Sequence, residues 1–377
     1  MPENTELAPQ DRPDAPSAGS LVPSPPPPPL AGDGHAVRRW FSEIEDEPVS
    51  VADGTLAGAR SAASAYARRA KADNTRRAYR AAVRVWCLWC DRHGLTPLPA
   101  SGADVAAFLA DERGRGVSTE TLKLRRAAIR YLHRLAGCPV PTDDACVAET
   151  MAGIQRDAAS RGEIRRKKVA ATATVIRRLL APIGDTELTD LRDRALILVG
   201  FAGALRRSEL AGIRIEHLTP SERGLRLTLP QTKGSQTEAV TVALPYGDTE
   251  LCPVHALERW RVAAGLQRGP LFRRIWSPPS GRKGRERTAP PGPVIGERAL
   301  TPQSVALIIQ RRAMAAGFGR RDLGGHSLKR GALTTGMERG VHPARLKRLG
   351  RHKSYDVLGE YLEFGDIFDG HPLDGVL

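Results

Sequence analysis

From Asp73 to Gly94 the apolar residues fall at helical spacing: Tyr79, Ala82, Val83, Trp86 and Cys90 repeat at i, i+3, i+4, i+7 and i+11. The pattern predicts a helix with Asp73 or Asn74 as its N-cap and Gly94 as its stop. Asp104 to Ala110 reads as a second, short helix. Ser118 to Thr121 opens a third, with Leu124, Ala128, Leu132 and Leu135 on its inward stripe. On the opposite side Lys123, Arg126, Arg130 and Arg134 form a basic line at the same spacing. Order is expected to begin near Ser61, and residues 56–157 to form a small all-helical domain.

The pattern breaks after that. Residues 158–168, with Arg165, Arg166, Lys167 and Lys168 in succession, carry no apolar periodicity and read as an exposed basic linker. In residues 169–377 helical spacing returns, but Leu225 to Leu229 and Ala239 to Leu244 are short β-type runs on either side of Thr232-Lys233-Gly234-Ser235. That arrangement predicts a hairpin with a lysine at its turn. Residues 277–299, rich in Pro, Gly and Arg, read as a loop, after which Thr301 and Pro302 suit the N-cap and first position of a helix ending at Gly317. Residues 1–55 hold the run Pro25 to Pro29 and the acidic cluster Glu43, Glu45, Asp46 and Glu47. A segment of that composition buries too little apolar surface to offset its ordering entropy, so it is expected to be a disordered tail. The fold class expected is mainly α: a helical N-terminal domain, then a mixed α/β, mostly helical domain with a small β-hairpin.

Charge sharpens this outline. The 377 residues carry a formal net charge of +15, while the first 50 hold nine Asp and Glu against three Lys and Arg, so the remainder is more basic than the total. Such a surface favours a polyanion such as nucleic acid, with membrane surfaces and acidic proteins left open. The basic line at 123–134 is then either a solvated face or a face turned to DNA. Five cysteines without a regular framework point to reduced thiols, and Cys87 and Cys90, flanked by Trp86 and Trp89, read as core residues. No second CxxC or paired histidine completes a metal site, and His217, His255, His342 and His371 have no partner at zinc spacing. No apolar run reaches the roughly 20 residues of a membrane span, and no signal-peptide pattern opens the chain, so the expectation is a cytoplasmic protein without membrane contact.

Three stretches of the second half carry candidate chemistry. The first is Gly203-Ala204-Leu205-Arg206-Arg207-Ser208-Glu209-Leu210, after an apolar helix through Leu196, Val199 and Ala202. The second is the turn Leu229-Pro230-Gln231-Thr232-Lys233-Gly234. The third runs from Gly325-His326-Ser327-Leu328-Lys329-Arg330-Gly331 through Leu349-Gly350-Arg351-His352 to Glu360-Tyr361-Leu362, with His352 and Tyr361 nine residues apart. A phenol, several cations and a mobile lysine are the parts that phosphoryl transfer to a tyrosine requires: a nucleophile, charges for the non-bridging oxygens and an acid for the leaving oxygen.

These stretches resemble the two boxes and the hairpin lysine of the tyrosine recombinases, or phage integrases. Asn74 to Tyr79 with the Trp-rich helix after it resembles the family's core-binding domain, so the likeness spans about residues 60–377. The resemblance implies a two-domain clamp on duplex DNA, with a SAM-like core-binding domain at 56–157, a catalytic domain at 169–377 and the basic line Lys123, Arg126, Arg130 and Arg134 facing the duplex. It implies that Tyr361 attacks the scissile phosphate, that Arg206 holds it with Glu209 behind, and that His326 and His352 bond it or move protons. Lys233 would be the general acid. Where the family has its second arginine this chain has Lys329 followed by Arg330, so Lys329 serves as a variant, Arg330 takes the role, or activity is reduced; the ungapped register favours Lys329. Tyr355 is a rival nucleophile, but the family spacing selects Tyr361 and leaves Tyr355 to pack. Strand exchange by this route needs no cofactor and proceeds in a homotetramer on two paired sites, with any accessory protein unspecified. A recombinase-like DNA-binding protein of weakened activity and a type IB topoisomerase-like relaxase are the alternatives. No separate arm-binding domain is evident before residue 60, which disfavours the larger phage integrases.

Overall fold

The computed structural model describes residues 27–46, 55–69, 71–163, 168–230, 239–276, 292–359 and 361. The chain divides into two compact units, Met1–Arg165 and Arg166–Leu377. Helices dominate both, and among the described residues none is long and apolar enough to cross a membrane.

The first unit contains α1 (Gly34–Asp46), α2 (Leu56–Arg69), α3 (Asp73–His93), α4 (Gly102–Gly114), α5 (Thr119–Leu135), a 3-10 turn at Pro141–Asp143 and α6 (Ala145–Ser160). Trp86 and Trp89 from α3 stack on each other and both meet the edge of Phe108 from α4. Each indole finds an acceptor, Trp86 in the Pro97 carbonyl at 3.0 Å and Trp89 in the Asp111 carboxylate at 2.7 Å, so neither N–H is lost to burial. Cys87 and Cys90 lie in this core as free thiols. Burial pushes the Cys87 thiol up to about 12, which makes it a packing group and not a nucleophile at neutral pH.

Three expectations need correction here. The segment read as tail contains α1, whose Val37, Trp40, Phe41 and Ile44 are buried against α3. These four sit at i, i+3, i+4 and i+7, an apolar stripe that the acidic average of the region conceals. Gly34 N–H at its start donates to the Asp91 carboxylate at 2.8 Å. On α5 the inward set is Leu122, Ala128, Ile129 and Leu132, while Leu124 faces outward at 38% exposure and Leu135 is half-buried. The N-cap of α3 is Ala72, with Asp73 in the first turn bonded to Arg76 at 2.6 Å; Gly94, left-handed at φ 66°, does end the helix.

The second unit runs α7 (Ala173–Leu180), α8 (Leu188–Ala202), α9 (Arg207–Ala211), β1 (Leu218–Ser221), β2 (Gly224–Leu229), β3 (Val240–Pro245), α10 (Pro253–Ala263), β4 (Arg273–Trp276), β5 (Val294–Ala299), α11 (Pro302–Ala315), α12 (Ser327–Glu338), α13 (Pro343–Gly350) and α14 (Tyr355–Gly359). Helix α8 is the hub: Leu191 to Gly200 are buried with one exception, and α7, α10, α11 and α12 pack around it. Its Gly200 leaves room for Leu328 of α12 and Leu210 of α9, which a Cβ would strike at 2.7 and 3.1 Å. The buried Asp193 carboxylate draws Arg192, Arg311 and Arg312 together and ties α8 to α11.

Strands β1, β2 and β3 form an antiparallel sheet in that order, with Leu225 opposite Leu244 and Leu229 opposite Val240. The paired runs are those expected around the hairpin; Lys233 itself lies outside the described residues. The span 277–299 is not loop throughout: β5 pairs with β4, Ile275 facing Ile295 and Trp276 facing Val294. The pairing supplies partners that a short Val-Ile run between Pro293 and the polar residues Glu297 and Arg298 does not advertise. Helix α11 begins as expected, with Thr301 accepting from Ser304 N–H, and Gly317 follows its end at φ 80°.

Because α1 contributes to the core of the first unit, Phe41→Ala should destabilise the protein by about 3–5 kcal/mol in urea unfolding followed by tryptophan fluorescence. A loss below about 0.5 kcal/mol, the range of an ordinary surface change, would contradict the packing of α1.

Candidate active site

The end of α8 is a tight turn through Gly203 and Ala204, the latter left-handed at φ 45°, which buries Leu205 and presents Arg206 in extended conformation at the N-cap of α9. Glu209, three residues on and 7% exposed, reaches back along the helix start. Its Oε2 accepts from the Arg206 backbone N–H at 2.8 Å and its Oε1 from Arg206 Nη1 at 2.7 Å. One carboxylate therefore caps the helix and fixes the guanidinium.

Helix α12 brings in the second cation. Ser327 accepts from Gly324 N–H at 3.0 Å at the helix start, and a Cβ at Gly331 would collide with the Ala171 backbone, so the helix lies hard against residues 168–171. Lys329 is fully buried, and its Nζ donates to the Gly350 carbonyl at the end of α13. Arg330, next in sequence, sends Nη1 to the Lys168 carbonyl. Lys329 lies among the charges of Arg206, Glu209 and Arg351. His326 is exposed at the N-terminal end of α12, three residues before Lys329.

Helix α13 ends on Arg351, left-handed at φ 53°, and His352 follows. No motif marks Arg351, yet its guanidinium is spread over four acceptors: Gly203 O at 3.0 Å, Leu349 O at 2.9 Å, Ala204 O at 2.6 Å and Glu209 Oε2 at 2.8 Å. Its only sequence signal is an arginine directly after the glycine that ends an amphipathic helix, a place where either a solvated cation or a cap is ordinary. His352 is 7% exposed, and neither ring nitrogen has a hydrogen-bond partner among the described residues. Its ring lies 4.5 Å from that of Tyr361, centroid to centroid, and Lys329 Nζ stands 5.3 Å from the same Tyr361 ring. Tyr361 N–H bonds the Leu358 carbonyl at 2.9 Å, and the half-buried ring packs on Leu333, Leu346 and Leu358. Tyr355 does not pack inward: it is 54% exposed, with Lys347 Nζ 4.6 Å above its ring.

Arg206, Glu209, Lys329, His352 and Tyr361 thus converge, with Arg351 added. Lys233 lies outside the described residues. The stripe Lys123, Arg126, Arg130 and Arg134 belongs to the other unit, half-buried to exposed on α5, with Lys123 paired to Glu120 and Arg130 to Asp143. Among the described residues no group of three His, Cys, Asp or Glu could hold a metal ion.

Crowding cations around one carboxylate changes what each group holds. Burial, with the charges of Arg206 and Arg351, pushes Lys329 down to about 6, against a weaker pull from Glu209. Burial, with Lys329, Arg206 and Arg351, pushes His352 down to about 4. For Glu209 burial acts upward, but Arg351 and the bonds from Arg206 outweigh it and keep the carboxyl below its usual range. Lys329 and His352 thus hold their protons weakly beside two guanidiniums and one phenol ring, and a negative group arriving there would strengthen that hold. A tetrahedral oxyanion beside Tyr361 is the ligand this chemistry suits.

The sign of the lysine shift gives a stability test. The folded pKa lies below the ordinary 10.5, so folding expels a proton between about pH 6 and 10.5 and stability climbs with pH across that window. Lys329→Met should therefore be more stable than wild type at pH 7, and its advantage should shrink by about 1.4 kcal/mol per pH unit from pH 7 to 9 in denaturant titrations. Parallel stability curves for the two proteins would contradict the shift.

Known proteins resemble this chain in sequence and in fold. Residues 66–137 match the family described as phage integrase, N-terminal SAM-like domain. The chain is 34% identical over 312 residues to the integrase/recombinase xerD homolog of Selenomonas ruminantium, covering 81% of this chain and 86% of that protein. It is 27% identical over 214 residues to recombinase cre of Escherichia phage P1, covering 55% and 61%. A crystal structure of XerH site-specific recombinase on a palindromic difH substrate, a post-cleavage complex, superposes with TM-score 0.58 at 14% identity, over 93% of this chain and 97% of that one, a likeness of fold. On the strength of the extended match to the Selenomonas protein, the chain belongs to the tyrosine recombinase, or phage integrase, family.

Proposed function

We propose that this protein is a site-specific recombinase that cleaves and rejoins duplex DNA through a 3′-phosphotyrosyl link at Tyr361. The observation that carries this reading is the meeting of the Tyr361 ring with buried Lys329 and His352 beside Arg206, itself fixed by Glu209. In the proposed step the Tyr361 oxygen attacks phosphorus as its proton passes to a neighbouring base, His326 or His352, the bond to the 5′ oxygen breaks, and that oxygen takes a proton from Lys233. Arg206 and Lys329 neutralise the non-bridging oxygens as charge builds on them, while His326 and His352 bond the phosphate or move protons. A free 5′-hydroxyl from the partner strand then attacks the phosphotyrosine and releases the phenol. The phosphoester energy is kept, so no nucleotide or cofactor enters the cycle.

Lys329 lacks the planar fork of an arginine, but a proton drawn onto it by the phosphate restores the positive charge where it is needed. Arg330, bonded to the Lys168 carbonyl, serves the seating of α12. The helical unit is the natural DNA-holding partner. We assign residues 56–157 to a core-binding domain, 158–168 to the basic linker and 169–377 to the catalytic domain, with Lys123, Arg126, Arg130 and Arg134 along the phosphates. A tetramer on two paired sites, working on DNA in the cytoplasm in association with the nucleoid, completes the proposal. The relatives named integrase and recombinase, and a fold neighbour described bound to DNA, support it.

The test is a nicked suicide duplex built from the DNA flanking the gene. A detergent-resistant protein–DNA adduct should form with wild type and vanish with Tyr361→Phe, and Arg206→Ala should slow it by about 10²–10³-fold. Binding without any adduct would instead favour a DNA-binding protein of lost activity, and relaxation without joining of two duplexes would favour a relaxase. Changing Arg126 and Arg134 to Gln should weaken binding at every sequence and lower the salt slope by about 0.9 for each phosphate no longer neutralised. An unaltered salt slope would remove α5 from the interface.

A further inference from the structure

We infer that Arg351 is a positioning residue for strand cleavage: it locks Glu209, and through it Arg206, to the segment that carries His352 and Tyr361, an assignment that rests on the recombinase reading above. Two stretches far apart in sequence, 203–209 and 349–351, meet at its guanidinium. Nη1 joins the Gly203 and Leu349 carbonyls, at 3.0 and 2.9 Å, and Nη2 joins the Ala204 carbonyl and Glu209 Oε2, at 2.6 and 2.8 Å. The turn that presents Arg206 and the helix end that presents His352 are therefore held by one planar group. A lysine in its place cannot span four acceptors in a plane.

Backbone strain marks the same junction. Only three non-glycine residues among those described have positive φ, and two of them, Ala204 at 45° and Arg351 at 53°, are joined by the 2.6 Å bond. Side chains rarely occupy that region, and here the conformation at 351 turns a long cation inward at the end of α13, where its side chain is 5% exposed. Among the described residues Arg351 Nε is buried without a hydrogen-bond partner, while its two terminal nitrogens serve four acceptors.

The division of labour follows from the chemistry. Glu209 Oε1 fixes the Arg206 guanidinium, and Oε2 is shared between the Arg206 backbone N–H and Arg351 Nη2. Remove Arg351 and Oε2 loses its charged donor, the two turn carbonyls lose theirs, and Arg206 is released from its fixed direction toward the phosphate. Arg351 is one of the charges that act on both Lys329 and His352; Arg206 and Glu209 also face Lys329, and Lys329 and Arg206 also face His352. In a chain where a lysine stands at the second cationic position, a guanidinium placed from the next helix end gives that lysine a rigid surround.

The experiment compares wild type, Arg351→Met, Arg351→Lys, Glu209→Gln and Arg351→Met/Glu209→Gln on the nicked duplex. It measures the rate of adduct formation from pH 5 to 9, together with DNA affinity. Arg351→Met is expected to slow adduct formation more than tenfold while DNA affinity changes less than about threefold, and to move the limb reporting protonation of Lys329 and His352 to higher pH. Arg351→Lys, which keeps the charge, should leave that limb in place and still be slowed. The double variant should lose little beyond the slower single, because both changes break one linkage. If Arg351→Met does not fold, the slowed rate and unmoved limb of Arg351→Lys carry the test. Wild-type rate in either Arg351 variant, or losses of Arg351→Met and Glu209→Gln that simply multiply in the double, would overturn the inference. Wild type that forms no adduct overturns the recombinase reading, and the role of Arg351 in cleavage with it.

Discussion

One buried carboxylate, Glu209, holds the reactive half of this protein together. Two guanidiniums converge on it from different parts of the chain, Arg206 from its own helix and Arg351 from the end of α13. Burying an ion is costly, and the cost is met only when its partners are placed to bond it well. Here the carboxylate stays ionised because both partners do so, and the surplus positive charge falls on Lys329 and His352, which respond by holding their protons weakly. The site is thus strained electrostatically in one direction: it would be relieved by a negative charge next to Tyr361.

The fold serves that arrangement. Helix α8 is buried nearly all round and ends in a tight turn, and Gly200 lets α12 approach closely enough to put Lys329 under the Tyr361 ring. Helix α12 is pinned at its other flank by Gly331 against Ala171 and by Arg330 on the Lys168 carbonyl. The hydrophobic triad Leu333, Leu346 and Leu358 seats α13 and α14 and thereby the stretch ending in Tyr361. The other unit has a core of its own built on Trp86, Trp89 and Phe108.

Much of this is legible in the sequence because the features are local. The 3.6-residue stripe of α3, the Thr301-Pro302 start of α11 and the ordered boxes around Arg206, Lys329, His352 and Tyr361 are short-range patterns, and the structure gathers those four with Glu209. What the sequence conceals depends on partners distant in the chain. Helix α1 is hidden by averaging over prolines and acids, although Val37, Trp40, Phe41 and Ile44 carry the stripe themselves. Strand β5 exists through its pairing with β4, and Leu124 faces out because Leu122 and Ile129 define the buried side of α5. Arg351 is silent in the sequence since no spacing rule announces a left-handed arginine; its meaning comes from Gly203, Ala204 and Glu209, nearly 150 residues earlier.

In the proposed function Lys329 is a buried, weakly protonated lysine to which a bound phosphate returns the charge. Its titration by NMR, in selectively labelled protein free and bound to duplex DNA, reads that claim directly. A midpoint near 6 in the free protein that rises on the duplex is the result this account requires. A midpoint near 10.5 that DNA leaves unchanged would contradict it.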